Sequence, residues 1–239
     1  MTEKVDMEVI ARVCNDFDSK FGLPRQSGLS GDLLSVVVFE PPYRDPAALR
    51  GLEAFSHIWL LWYFSESERD HWSATVRPPR LGGNTRVGVF ASRSPYRPNP
   101  IGLSCVSLKK IVYSEERGPL LYVEGADLMN GTPIFDIKPY IPSADSHPDA
   151  GGGFAENIAD YRLRVEIPDD LLAMIPEEKR SGLVTVLKED PRPAYHDDPS
   201  RRYGFSFAGL EIGFVVKEGI LSVTDVANGG NKAENKGEF

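Results

Sequence analysis

The sequence predicts a mainly β protein: a single-sheeted β-barrel followed by a small α+β C-terminal domain. Three observations lead there. Up to about residue 160 the chain is a series of short runs rich in β-branched and aromatic residues, each closed by proline, glycine or asparagine. Such runs form strands. In that span one weak helical turn is read, at residues 46–52. Beyond it, one amphipathic segment opened by a proline precedes three alternating runs, the pattern of a helix beside a β-meander.

The opening strand is placed at residues 7–13 (MEVIARV), and 15–33 is read as a loop. SVVVF at 35–39 is short, β-branched and closed by Pro41 and Pro42, so it is a strand. AFSHIWLLWYF at 54–64 is apolar throughout; its aromatic content and length favour a buried strand, although periodicity alone does not separate strand from helix. His57 within it is read as a hydrogen-bonded core or rim histidine. VGVF at 87–90 shows a further strand pattern, and 104–113 and 120–124 make two more. DLMNG at 127–131 is a turn, because Asn-Gly tolerates positive φ. A short strand follows at 134–137, then a polar loop at 143–158 whose length marks it as functional or disordered. Residues 161–167 alternate as a strand, and 176–188 form a helix with Leu183, Val184 and Leu187 on one side. Strands at 203–207, 210–217 and 220–226 complete the chain, the last two joined at Glu218 and Gly219. The strands before residue 160 make a barrel of about seven or eight strands at 5–160. Residues 161–226 form the smaller domain, and 227–239 are expected to be a disordered tail.

The formal net charge of −8 argues against indiscriminate nucleic-acid binding. The charge is segregated, however: residues 71–114 hold seven Lys or Arg and no Asp or Glu. Such a segment focuses a polyanion onto one face. Within it, VRPPRLGGNTRVGVFASRSPYRPNPIGLSCVSL carries Arg77, Arg80, Arg86, Arg93 and Arg97 together with five prolines. Proline fixes its own φ and restricts the residue before it. Arg93, Tyr96, Arg97 and Asn99 therefore have few directions to point, which suits a site for an anion or a nucleotide.

Several classes are excluded. Cys14 and Cys105 are the only cysteines, so no disulfide framework is implied and a reducing, cytoplasmic setting is expected. No run is apolar for the length a membrane span needs. No glycine fingerprint or phosphate loop accompanies a strand-to-helix junction. The four histidines lack ligand spacing, so no metal is expected. Ser94 and Ser104 have no base nearby in sequence, so triad hydrolysis is not indicated.

GVFASRSPYRPNPIGLS, with RGLEAFSHIWLLWYF and VRPPRLGG upstream and DLMNGTPIFDIKPYIPSADS and DPRPAY downstream, resembles the TsaA-like (TrmO) family over roughly residues 7–200. That resemblance implies an S-adenosylmethionine-dependent tRNA methyltransferase acting on N6 of N6-threonylcarbamoyladenosine, the modified purine just 3′ of the anticodon. It also implies a barrel fold and a homodimer. The cofactor contacts implied are Pro24, Arg25 and Gln26, Phe64 and Ser65, Arg93, Leu103, and Glu124, Gly125, Ala126 and Asp127. Ser65 stands where relatives are expected to carry a histidine.

Methyl transfer from a sulfonium needs no metal; it needs the acceptor nitrogen in line with the methyl at about 3 Å. The acceptor is acylated and weakly nucleophilic, so a carboxylate that takes its proton would help. Asp127 either serves as that base or caps its turn; Asp136 is read as pairing with Lys138. Arg93 binds the cofactor carboxylate bidentately or a tRNA phosphate, and Arg97 and Asn99 then touch RNA backbone or the carboxylate of the modification. Tyr96 and Tyr140 are stacking faces for a splayed base or ordinary packing. Arg77, Arg80, Arg86 and Arg192 are the expected RNA contacts. A non-catalytic barrel that binds S-adenosylmethionine or RNA is the alternative.

Overall fold

Strands dominate because the apolar residues of the first half alternate with a period of two, and the computed structural model shows where that alternation closes on itself. It describes residues 3–20, 22–23, 33–67, 71–78, 85–154, 162–192, 198 and 200–229. Strand β1 is Ala11–Cys14, β2 Leu34–Phe39 and β3 His57–Tyr63. A two-residue pair follows, β4 at Thr75–Val76 and β5 at Val87–Gly88. Then come β6 at Ile101–Ser114, β7 at Gly118–Glu124 and β8 at Pro133–Pro139. Six of these close a barrel in the order β1-β2-β7-β6-β3-β8, every neighbouring pair antiparallel.

In β3 the side chains of Ile58, Leu60 and Trp62 enter the barrel. Trp59, Leu61 and Tyr63 are half-buried on the outside, which is why the run looked apolar throughout. The barrel has six strands, not seven or eight. The difference lies at 87–90: only Val87 and Gly88 pair, with Val76 and Thr75, and Val89–Ala91 turns into a 3-10 helix. Val89 is buried beneath that turn and Phe90 is left 72% exposed. Pro95, Pro98 and Pro100 then keep the chain out of any ladder until β6 begins.

The second unit follows the short helix α1 at Pro142–Asp145. It comprises β9 at Arg164–Glu166, α2 at Asp169–Ala173, α3 at Glu177–Lys188, and β10, β11 and β12 at Tyr203–Phe207, Leu210–Lys217 and Ile220–Asn228. Its sheet runs β10-β11-β12-β9, with β9 parallel to β12. Glu218 (φ 50°) and Gly219 (φ 79°) are both left-handed, the conformation a two-residue hairpin requires. On α3 the buried apolar side chains are those of Leu183, Val186 and Leu187, at the i, i+3, i+4 spacing of one helix face; Val184 is only half-buried. The α2 helix had no counterpart in the sequence reading. Residues 155–161, which take in the end of the polar loop and the first residue of the expected 161–167 strand, and 230–239 of the tail lie outside the described residues.

The two cores are separate clusters, and the connection between barrel strands β1 and β2 contributes to the second. Phe17 and Leu33 lie in the second core, and the Phe17 ring sits 5.4 Å from Phe207. A plain loop would not bury two large apolar side chains under another unit. Among the described residues no helix is long and apolar enough to cross a membrane.

Candidate active site

The barrel's topology gathers the end of β1, the start of β2, the ends of β3 and β7 and the starts of β6 and β8 at one rim. The whole 64–100 excursion hangs from that rim. Its root is tied by the Phe64 N–H, which donates to the Pro100 carbonyl at 3.0 Å.

Beneath the rim lies a directed hydrogen-bond chain. The Trp62 indole Nε1–H donates to Ser104 Oγ at 3.0 Å, and Ser104 Oγ donates to Asp127 Oδ1 at 2.6 Å. Ser104 is fully buried and Asp127 half-buried, so the carboxylate is held from inside and reaches the rim. The indole can lie there because residue 102, its partner across the ladder, is glycine; a Cβ on Gly102 would stand 2.2 Å from the Trp62 ring. Phe64 packs on the same indole, centroids 4.2 Å apart. Sequence reasoning missed Ser104 and Trp62, since only the strand register brings them to Asp127.

The turn after Asp127 is laced to the second unit. Asn15 Nδ2 donates to the Leu128 carbonyl at 2.7 Å, and Asn130 Nδ2 donates to Asp18 Oδ1 at 3.0 Å. Asp16 pairs with Lys179 of α3. Lys20 reaches Ser67 Oγ at 2.9 Å, beyond the end of β3. Asn15 is a third residue the sequence did not point to.

The other expected site residues fall into three groups. Phe64, Ser65, Leu103 and residues 124–127 come together at this rim. Of these, Gly125 and Ala126 are buried, so they offer backbone only, and Glu124 is paired with Lys109 at 3.0 Å. Leu103 is 53% exposed. Arg93 and Asn99 are exposed on the excursion, and Arg93 has no ion pair among the described residues. Arg97 turns inward, its Nη1 donating to the carbonyls of Ser92 at 2.7 Å and of Val89 and Ser94 at 3.4 Å. It braces the loop. Pro24, Arg25, Gln26 and Arg80 lie outside the described residues.

Two residues fall elsewhere. Tyr140 does not join the rim: β8 runs antiparallel to β3, so Tyr140 lies beside His57, with its ring 5.7 Å from that of Trp59. At about 3.3 Å per residue that is roughly 20 Å from Phe64 along β3. Arg192 is held bidentately by Asp190, at 2.8 Å on each side, and both side chains are 9% exposed. That geometry makes it a brace of its own turn rather than a surface cation. Arg77 and Arg86 are exposed beside the β4–β5 pair. Asp136 pairs with Lys138 at 2.7 Å.

The donor set at the rim fits an amphipathic, zwitterionic nucleoside such as S-adenosylmethionine. On the excursion the exposed Arg93 guanidinium, without an ion pair among the described residues, suits its carboxylate, while at the rim Leu103 and Phe64 supply apolar area and the 125–127 backbone supplies polar groups. Burial, reinforced by Asp145, pushes the Cys105 thiol up from its ordinary value, which makes it a poor nucleophile.

The family model for the tRNA-methyltransferase O N-terminal domain matches residues 12–146, and that for the TrmO C-terminal domain matches 161–229. The chain belongs to the tRNA-methyltransferase O family. The Escherichia coli tRNA (adenine(37)-N6)-methyltransferase is 44% identical over 197 residues, covering 79% of this chain and 82% of the relative. The Eikenella corrodens protein of the same name is 42% identical, covering 72% and 97%. A crystal structure of TrmO from Pseudomonas aeruginosa superposes with a TM-score of 0.74 at 31% identity, covering 95% of this chain and all of that one. The TrmO likeness thus spans the barrel, the rim and the second unit together.

Proposed function

We propose that this chain transfers the methyl group of S-adenosylmethionine to N6 of N6-threonylcarbamoyladenosine at position 37 of tRNA, the position carried in the names of its relatives. The observation that carries the reading is the carboxylate of Asp127, held by Ser104 at the rim where the cofactor-compatible groups converge. Bound S-adenosylmethionine supplies an electrophilic methyl on a sulfonium. Arg93 holds the cofactor carboxylate, with Leu103 and Phe64 against its apolar parts and the 125–127 backbone alongside. Asp127 takes up the N6 proton as the nitrogen–carbon bond forms and the methyl–sulfur bond breaks, the neutral thioether S-adenosylhomocysteine being the leaving group; the proton transfer contributes about 10²–10⁴ in rate. Its orientation is set by Ser104, whose own position is set by Trp62. Arg97 keeps Arg93 and Asn99 presented by tying the carbonyls between them and Val89.

In this reading the barrel carries cofactor and catalysis, and the second unit steadies the rim through residues 15–20. The threonylcarbamoyl carboxylate is met by the surplus of arginines on the excursion. The protein works as a homodimer in the cytoplasm; the exposed Ile101 and Ile141 supply apolar area for a partner copy, and the two free thiols suit a reducing setting. Incubation with S-adenosylmethionine and total tRNA from a strain lacking the activity, followed by nucleoside mass spectrometry, tests it. An added methyl on threonylcarbamoyladenosine is expected. Retention of cofactor without any added methyl would identify a binding barrel instead.

A further inference from the structure

The catalytic reading leaves two large rings unused. Trp72 precedes β4 and Phe90 follows β5, and the two stack with centroids 6.3 Å apart and planes 25° apart. They are 52% and 72% exposed, and neither belongs to a core cluster. Aromatic side chains normally remove most of their area from water, so two left stacked on the surface need an occupant.

The mounting is firm. Val89, beside Phe90, is buried, and its N–H donates to the Ala74 carbonyl at 3.0 Å. The Arg97 guanidinium stands 5.9 Å from the centre of the Phe90 ring while its Nη1 grips the carbonyls beneath. The pair stands on the 64–100 excursion, rooted at the rim that carries Asp127. Three carboxylates, Glu66, Glu68 and Asp70, precede Trp72 in sequence, but from residue 71 to residue 114 there are seven cations and no carboxylate in a chain of net charge −8. An acidic copy of this same chain is a poor match to that segment; a polyanion with exposed aromatic faces is a good one.

We infer that Trp72 and Phe90 form a stacking surface for an unpaired base of the tRNA anticodon loop, a neighbour of the nucleotide to be methylated. The inference rests on the tRNA reading above and adds a positioning contact to it. A π-face is common to all bases, so the contact sets register without demanding a sequence, while the flanking arginines hold phosphate. A base parked there would leave the adjacent purine splayed toward the rim.

The test uses the full chain and a labelled anticodon stem-loop RNA, with Trp72→Ala, Trp72→Phe and Phe90→Ala. Because Phe90→Ala can also loosen the Val89 turn, Trp72, which lies outside that turn, decides. Trp72→Ala is expected to weaken stem-loop binding about 5- to 150-fold, the range for losing one base stack, with the salt slope unchanged because no phosphate contact is lost. Trp72→Phe should restore most of the affinity, and S-adenosylmethionine binding should stay at wild type. Wild-type binding by Trp72→Ala, or a change of oligomeric state in place of the affinity loss, overturns the inference. If the wild type binds the stem-loop with this Trp72 dependence but transfers no methyl, the catalytic reading fails and the stacking surface stands. If methylation proceeds while Trp72→Ala binds normally, the reverse holds.

Discussion

Ser104 and Asp127 stand 23 residues apart in sequence and 2.6 Å apart in space, hydroxyl to carboxylate, with the Trp62 indole bonded behind the hydroxyl. A carboxylate fixed in this way meets a substrate nitrogen without first losing rotamer freedom, which is how positioning lowers a barrier. Asp127→Asn keeps the shape and removes the proton acceptor. Single-turnover methylation should slow by about 10²–10⁴ while calorimetric binding of S-adenosylmethionine is little changed. Ser104→Ala should lose less activity and more stability, about 1–3 kcal/mol, because it leaves a buried indole N–H unsatisfied.

Arg93→Ala should weaken S-adenosylmethionine binding at least tenfold, as expected for a charge-assisted hydrogen bond worth about 1.5–3 kcal/mol. The side chain is exposed and has no ion pair among the described residues, so the melting temperature should stay at wild type. Calorimetry and thermal unfolding on the same preparation separate the two effects.

Gly102→Ala places a methyl 2.2 Å from the Trp62 ring. The indole cannot stay where it is and still reach Ser104. Overpacking of this kind costs about 1–3 kcal/mol, a fall of several degrees in Tm, and the displaced relay should lower activity beyond what the lost stability explains. Thermal unfolding and initial rates measured well below Tm check both.

Arg192 and Arg77 should behave in opposite ways. Removing Arg192 strands Asp190 in a buried pair, a loss of about 3–5 kcal/mol, and should leave the salt dependence of tRNA binding as it was. Arg77→Gln with Arg86→Gln should cost little stability. It should flatten the log–log salt slope by slightly under one unit for each phosphate released. Binding isotherms across salt concentrations distinguish these cases.

Much of this was legible in the residues. The β2, β7 and meander strands lie nearly where alternation puts them, and the hairpin at Glu218 and Gly219 follows from local chemistry alone. Local pattern misled at VGVF, where buried Val89 anchors a turn that exposes Phe90. It misled on α3 at one residue, with Val186 buried in place of Val184. What local pattern cannot carry is register. The Ser104–Asp127 contact, the Gly102–Trp62 fit and the remoteness of Tyr140 all follow from which strands pair and in what alignment. The burial of Phe17 and Leu33 in the second core likewise depends on a tertiary partner that no window of sequence contains.

The central claim is that the acceptor is the threonylcarbamoylated adenosine and that Asp127 serves its proton transfer. The most direct measurement pairs two tRNA preparations, one with the threonylcarbamoyl group and one with plain adenosine, each incubated with wild type and with Asp127→Asn and read by nucleoside mass spectrometry. The account predicts methylated threonylcarbamoyladenosine from the wild type, little product from plain adenosine, and a loss of about 10²–10⁴ in rate for the variant. Equal methylation of the two tRNAs, or a variant as fast as wild type, would contradict it.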